Sequence, residues 1–197
     1  MRKAEKNRIS KETNITIKLN IDGEGIAKIN SGIGFLDHML ELFAFWGHFD
    51  LEVNTREADL RVDIHHTNED IGIVLGQVFK EALGDKAGIR RIGSASVPME
   101  DMVADVVVDI SGRGFFQGMG RKDKTGDNEY SFTYAEHFFE AFSKNLGMNL
   151  SIKLTGANPD LHTNLEPVFK ALGIALDQAT QIDPRRKGIP STKGVID

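Results

Sequence analysis

Two short patterns recur about half a chain apart. LDHMLELF (residues 36–43) returns as AEHFFEAF (135–142), each with a carboxylate, a histidine, two apolar residues and a glutamate. DIHHTNE (63–69) returns as DLHTNLE (160–166), each reading Asp, apolar, His, three residues, Glu. His137 follows His38 by 99 residues, and His162 and Glu166 follow His65 and Glu69 by 97 each. Spacings this regular mark an internal duplication, which restricts the chain to two similar halves.

The segments between these anchors have one order in both halves. TNITIKLNI alternates Ile15, Ile17, Leu19 and Ile21 with polar residues, then DGEG and a second alternating run follow, so a strand, a turn and a strand are expected. GFLDHMLELFAFWG crowds apolar residues at helical spacing between Gly34 and Gly47. DLEVN and ADLRVD read as strands. Beyond His65, residues Ile71, Val74, Leu75, Val78, Phe79 and Ala82 line one face of a helix closed by ALGDKAG. In the second half, VADVVVDIS, GFFQGMG and LSIKLTG read as strands, and YAEHFFEAFSKNLG and DLHTNLEPVFKALGIALDQA as helices. Asp63 and Asp160 stand where a carboxylate accepts the free amides at a helix start. RKDKTGDNEY is expected as an exposed, turn-rich connection. The expected fold is α/β of the α+β, two-layer kind: residues 1–90 and 91–197 each form a sheet with two helices on one face, and Phe79, Phe169, Leu75 and Leu172 belong to the core.

Composition excludes several classes. The chain has 197 residues with 24 Lys plus Arg against 29 Asp plus Glu, a net charge of −5, which disfavours a large basic face for nucleic acid. No cysteine is present, so disulfides and thiolate metal sites are excluded. MRKAEKNRIS carries no apolar core behind its charges, and no apolar run reaches about 18 residues, so no membrane partner and a cytoplasmic location are expected.

Five of the six histidines, His38, His65, His66, His137 and His162, fall inside the repeated patterns; His48 does not, and reads as a helix-end or core residue. Residues four apart share a helix face, so His65 with Glu69 and His162 with Glu166 each form a two-point clamp for a cation. His66, about 100° round the helix from His65, must point elsewhere. A lone histidine is more often a cap or a core hydrogen bond. Duplicated histidines with carboxylates beside them point to metal, and adjacent histidines suit two ions rather than one. Imidazole and carboxylate without sulfur admit Mn, Fe, Co, Ni or Zn.

RISKET, GIGFLDHML, DIHHTNED, GIRRIGSASVPMEDM, DISGRG, EHFFEAF, LHTNLEPVFKAL and IPSTKG occur in that order. Through them the chain resembles, over essentially its whole length, the imidazoleglycerol-phosphate dehydratase family of histidine biosynthesis. The resemblance implies ribosomal-S5-like βα halves, a homo-oligomer of twenty-four subunits and two Mn²⁺ ions per active site at subunit interfaces. One ion takes His38, His66, His162 and Glu166; the other takes His65, Glu69 and His137. The family supplies one more ligand to the second ion directly after the position matched by His162, where this chain has Thr163, and the preceding GANPD loop is about two residues longer than the family's. Either the second ion keeps fewer protein ligands, with water or substrate filling in, or a register shift lets His162 serve it.

The resemblance further assigns Glu12 as general base, and Arg91, Arg113, Ser191, Thr192 and Lys193 to the substrate phosphate, with Arg90 a variable neighbour. An Arg fork with a hydroxyl and an ammonium suits a dianion. The implied substrate, imidazole glycerol phosphate, has a poor leaving group and no carbonyl beside the proton to be removed, so its ring must assist. Cations at the ring nitrogens would stabilise an imidazolate that expels hydroxide as a diazafulvene-like species; a base takes the neighbouring proton, and the enol becomes imidazole-acetol phosphate. Competing readings are a dinuclear phosphohydrolase, which releases free phosphate, and a non-enzymatic metal-binding protein, for which the Arg and Lys positions are irrelevant.

Overall fold

In the computed structural model, which describes residues 2–121, 130–156 and 158–196, both halves follow the order β-β-β-α-β-α. The first comprises β1 (Lys3–Ile9), β2 (Asn14–Asn20), β3 (Ala27–Asn30), α1 (Gly34–Gly47), β4 (Asp50–Glu57) and α2 (His65–Leu83). The second comprises β5 (Ile92–Met99), β6 (Met102–Asp109), β7 (Phe115–Gln117), α3 (Phe132–Leu146), β8 (Asn149–Thr155) and α4 (Leu161–Thr180). The sheets correspond strand for strand, β1-β2-β4-β3 and β5-β6-β8-β7. The expected duplicated α+β architecture is met.

Ile15, Ile17 and Leu19 of β2 point inward and are almost wholly buried, as their alternation requires. The following strand does not pair with β2. Instead β4 enters between them, antiparallel to β2 and parallel to β3. A parallel pair cannot be closed by a tight turn, and α1 supplies the crossover.

Three expectations about elements need correction or completion. ADLRVD is not a strand: its alternating Leu60 and Val62 are 40% and 72% exposed, and both edges of β4 are already taken by β2 and β3. Two edge strands went unread. In β1 the inward side carries Ala4 with Lys6 and Arg8, two charges that guard a sheet edge and conceal its apolar signal; β5 is built largely of small residues. RKDKTGDNEY lies mostly outside the described residues.

The helices of one half pack on those of the other, α1 against α4 and α2 against α3. One core results, crossed by phenylalanine contacts such as Phe43 to Phe142 at 6.2 Å and Phe79 to Phe142 at 5.6 Å between ring centroids. Phe79, Phe169, Leu75 and Leu172 all lie in it. Each such buried side chain contributes about 1.5–3 kcal/mol, so each half depends on its neighbour. Among the described residues, no helix is long and apolar enough to cross a membrane.

Candidate metal centres and phosphate cleft

Helix packing gathers the histidines into two sets built from repeat counterparts; the first converges on one carboxylate oxygen, whereas in the second His65 turns opposite ring nitrogens to its two partners. At the seam of α1 and α4, Glu166 Oε2 lies 2.6 Å from His162 Nε2 and 3.4 Å from His38 Nε2. At the seam of α2 and α3, His65 Nε2 lies 3.4 Å from Glu69 Oε2, and His65 Nδ1 lies 3.1 Å from His137 Nδ1. Each set therefore joins one half's His-Glu clamp to the other half's lone histidine.

Glycines permit the approach. A Cβ on Gly173 of α4 would lie 2.6 Å from Phe43 O of α1, and one on Gly76 of α2 would lie 2.7 Å from Phe142 O of α3. These contacts are repeat counterparts, and only glycine fits such backbone proximity.

The donor chemistry suits a divalent cation. All donors of the His38, His162 and Glu166 set lie within 4.8 Å of one another. Burial works to raise Glu166, but hydrogen bonds from Lys170 at 2.5 Å and from His162 outweigh it and hold the carboxyl below its ordinary range, so it stays anionic. In the other set, two imidazole nitrogens face each other across 3.1 Å, where at most one proton fits and a cation can serve both lone pairs. This set lines a cleft of about 280 Å³ with Glu140 and Lys144.

His66 joins neither set within the protomer. Its Nδ1 lies 3.1 Å from Asp59 Oδ2 and 3.7 Å from Glu12 Oε2, and these three residues form a separate group of possible ligands. The Asp59 hydrogen bond, aided by the charge of Glu12, raises the His66 pKa. Thr163, the repeat counterpart of His66, gives its amide and hydroxyl to Asp160 Oδ2 at 2.9 and 2.8 Å, and so serves as part of the α4 cap. Asp160 caps as expected; Asp63 sits one residue further out and accepts the His65 amide at 2.7 Å. His48 ends α1 in the left-handed conformation.

The base and phosphate residues are also placed by local structure. Ser10 Oγ accepts the amides of Glu12 and Thr13, folding RISKET into a tight turn that leaves the Glu12 side chain half exposed. Arg91, Ser111, Arg113, Ser191, Thr192, Lys193 and Val195 line a cleft of about 170 Å³. Arg91 stands in the left-handed region at φ 75° and pairs with Asp109 through Nε at 2.6 Å and Nη2 at 3.0 Å, while Nη1 reaches Pro190 O at 3.0 Å. It thereby fastens the IPSTKG segment. A hollow of about 560 Å³ over the outer face of the first sheet is lined by none of these residues.

Comparison with known proteins decides the family. The family model described as imidazoleglycerol-phosphate dehydratase matches residues 31–176. The chain belongs to the imidazoleglycerol-phosphate dehydratase family. It is 50% identical over 195 residues to the imidazoleglycerol-phosphate dehydratase of Geobacter metallireducens, covering 99% of each chain, and 48% identical to that of Methanocella arvoryzae over the whole of both. The crystal structure of the Staphylococcus aureus family member superposes with a TM-score of 0.80 at 33% identity, covering 92% of this chain and 99% of that one. The Pyrococcus furiosus member, solved with (S)-C348, gives 0.79 at 33%, covering 96% and 99%.

Sequence reasoning passed over three residues around these sites. Asp59 was hidden in a run that alternates like a strand. Lys170 was readable, standing four residues after Glu166 on the same helix face. Ser111 gives no signal until Asn149 and the C-terminal segment fold around it.

Proposed function

We infer that this chain, as a member of its family, is a hydro-lyase of histidine biosynthesis that converts imidazole glycerol phosphate to imidazole-acetol phosphate. The observation that carries the site assignment is the convergent His38/His162/Glu166 set, with its repeat counterparts His65, His137 and Glu69 gathered at the other seam, in a chain that also builds an Arg-, Lys- and Ser-lined cleft.

The reading takes one Mn²⁺ in each set. His66, whose Nε2 has no partner among the described residues, completes the His38 set from a neighbouring copy. That requires a homo-oligomer, and a shell of twenty-four subunits meets the need; residues 1–90 and 91–197 are its half-repeats, and the cytoplasm its location. The second set keeps fewer protein ligands because Thr163 is engaged in the cap. When bound, the cations supply positive charge that stabilises the anionic form of the substrate ring.

The chain's own groups do the rest. Arg113, Ser191, Thr192 and Lys193 hold the phosphate, and Arg91 orients the segment that carries the last three. Glu12 takes the proton from the carbon next to the one that loses hydroxide. Glu69 and Glu166 are poorer bases, because their lone pairs serve the sets.

Purified protein with Mn²⁺ and imidazole glycerol phosphate should yield the enolised ketone. Free phosphate would instead support a phosphohydrolase, and an inert sample with both sets loaded would reject the assignment. Glu12→Gln should lose at least about 10²-fold in kcat with metal content intact; retained turnover removes Glu12 as the base.

A further inference from the structure

Asp59 lies in the segment that leaves β4 and turns back to the start of α2, and it faces the one repeat-region histidine that neither intramolecular set uses. Its Oδ2 is 3.1 Å from His66 Nδ1, closer than Glu12 Oε2 at 3.7 Å, and its side chain is 22% exposed against 51% for Glu12. The two carboxylates thus compete for one ring nitrogen, and the more buried one is nearer.

An ionised carboxylate only accepts hydrogen bonds. The nitrogen facing Asp59 must therefore carry the proton, which leaves the lone pair of neutral His66 on Nε2. A carboxylate bonded to the far nitrogen of a ligating imidazole also fixes the ring's orientation. Here it has a second effect: with Nδ1–H already accepted by Asp59, Glu12 is spared from pairing with the ring.

We propose that Asp59 is a positioning residue, which holds His66 by Nδ1–H so that Nε2 is presented to a divalent cation and Glu12 stays available for proton transfer. The inference rests on the metal-dependent reading above. It adds a residue that does not touch substrate and acts through His66.

The test is Mn²⁺ binding to the full-length protein, followed by loss of the free-ion electron paramagnetic resonance signal, for wild type, Asp59→Ala, Asp59→Asn, His66→Ala and the Asp59→Ala/His66→Ala double variant. Asp59→Ala should weaken the affected site about 10–100-fold. Asp59→Asn, whose side-chain carbonyl accepts the same hydrogen bond, should stay within about threefold of wild type. The double variant should bind no worse than His66→Ala, because both changes remove one interaction. Wild-type affinity in Asp59→Ala would overturn the proposal, as would a double variant that loses the two factors independently. Should Asp59→Ala fail to fold, Asp59→Leu, of similar volume but without an acceptor, takes its place: a loss of about 10–100-fold beside near-wild-type affinity in Asp59→Asn supports the positioning bond, and wild-type affinity in Asp59→Leu overturns it. Wild-type protein that takes up no Mn²⁺ sinks the metal reading itself and Asp59's role with it, whereas wild-type uptake with an unaffected Asp59→Ala sinks only the latter.

Discussion

Thr13 gives its hydroxyl to Asp70 Oδ2 at 2.5 Å, tying the turn that carries Glu12 to the helix that carries His65, His66 and Glu69. Arg8 reaches the same oxygen at 2.5 Å, so the nearly buried carboxylate is both paired and hydrogen-bonded. Replacing Thr13 by Val leaves Asp70 with Arg8 but frees the turn. Stability should fall by about 1–2 kcal/mol, and kcat by about tenfold, with metal content unchanged. Steady-state kinetics beside metal analysis would check this; an unchanged kcat would mean that Glu12 does not depend on the tether.

Gly173→Ala should push α1 from α4, and Gly76→Ala should push α2 from α3. Overpacking of this kind costs about 1–3 kcal/mol. Because each glycine serves one seam, each variant should weaken one metal set and spare the other. Stoichiometric Mn²⁺ titration should resolve one altered and one unaltered class of site, and equal weakening of both would contradict the seam argument.

Arg91→Lys keeps the charge but loses the fork that spans Asp109 and Pro190 O. Lysine cannot reproduce the planar geometry. KM for the phosphorylated substrate should rise about tenfold or more while Mn²⁺ affinity holds. A normal KM would show that the IPSTKG segment needs no such fastening.

Stripping the metal should lower the melting temperature. A ligand that binds only the folded state stabilises it by about 2.7 kcal/mol at a hundredfold excess over Kd. On the proposed reading each site bridges helices from different halves, so the shift should vanish in the His65→Ala/His162→Ala double variant. Calorimetry with and without chelator measures it; equal melting of the stripped and loaded wild type would count against cations bridging the helix seams.

Asp50 accepts the amides of Glu24 and Ile26 at 2.9 and 3.2 Å and the Asn20 side chain at 2.9 Å. Burial works to raise its pKa, but these donors prevail and hold it below 3.8. A depressed folded pKa gives stability that is present above the unfolded value and lost as pH falls through the folded one. Asp50→Asn should therefore be about 1–3 kcal/mol less stable than wild type at pH 6, with the gap closing below about pH 4. Denaturant unfolding across that range reads it directly, and a gap independent of pH would show that the charge contributes nothing.

How much of this was legible beforehand follows from the range of each interaction. His65 with Glu69, and His162 with Glu166, share faces because the helical repeat alone sets residues four apart side by side. The apolar stripes of α2 and α4 are local in the same sense, and the duplication could be counted from the spacing of histidines. Whether His65 would meet His137, or His162 meet His38, depended on which helices cross, and that was settled by one shared phenylalanine core and by glycines at the crossings. β1 and β5 escaped notice because guarding charges and small residues erase the alternation that betrays a strand. Asp59 escaped for the opposite reason, since Leu60 and Val62 alternate beside it without a sheet to join. The chain by itself determined two like halves and two clamps on the helices, through contacts that span a single turn. Tertiary packing decided their partners and sent His66 to Asp59, because those contacts join segments whose meeting only the assembled core can enforce.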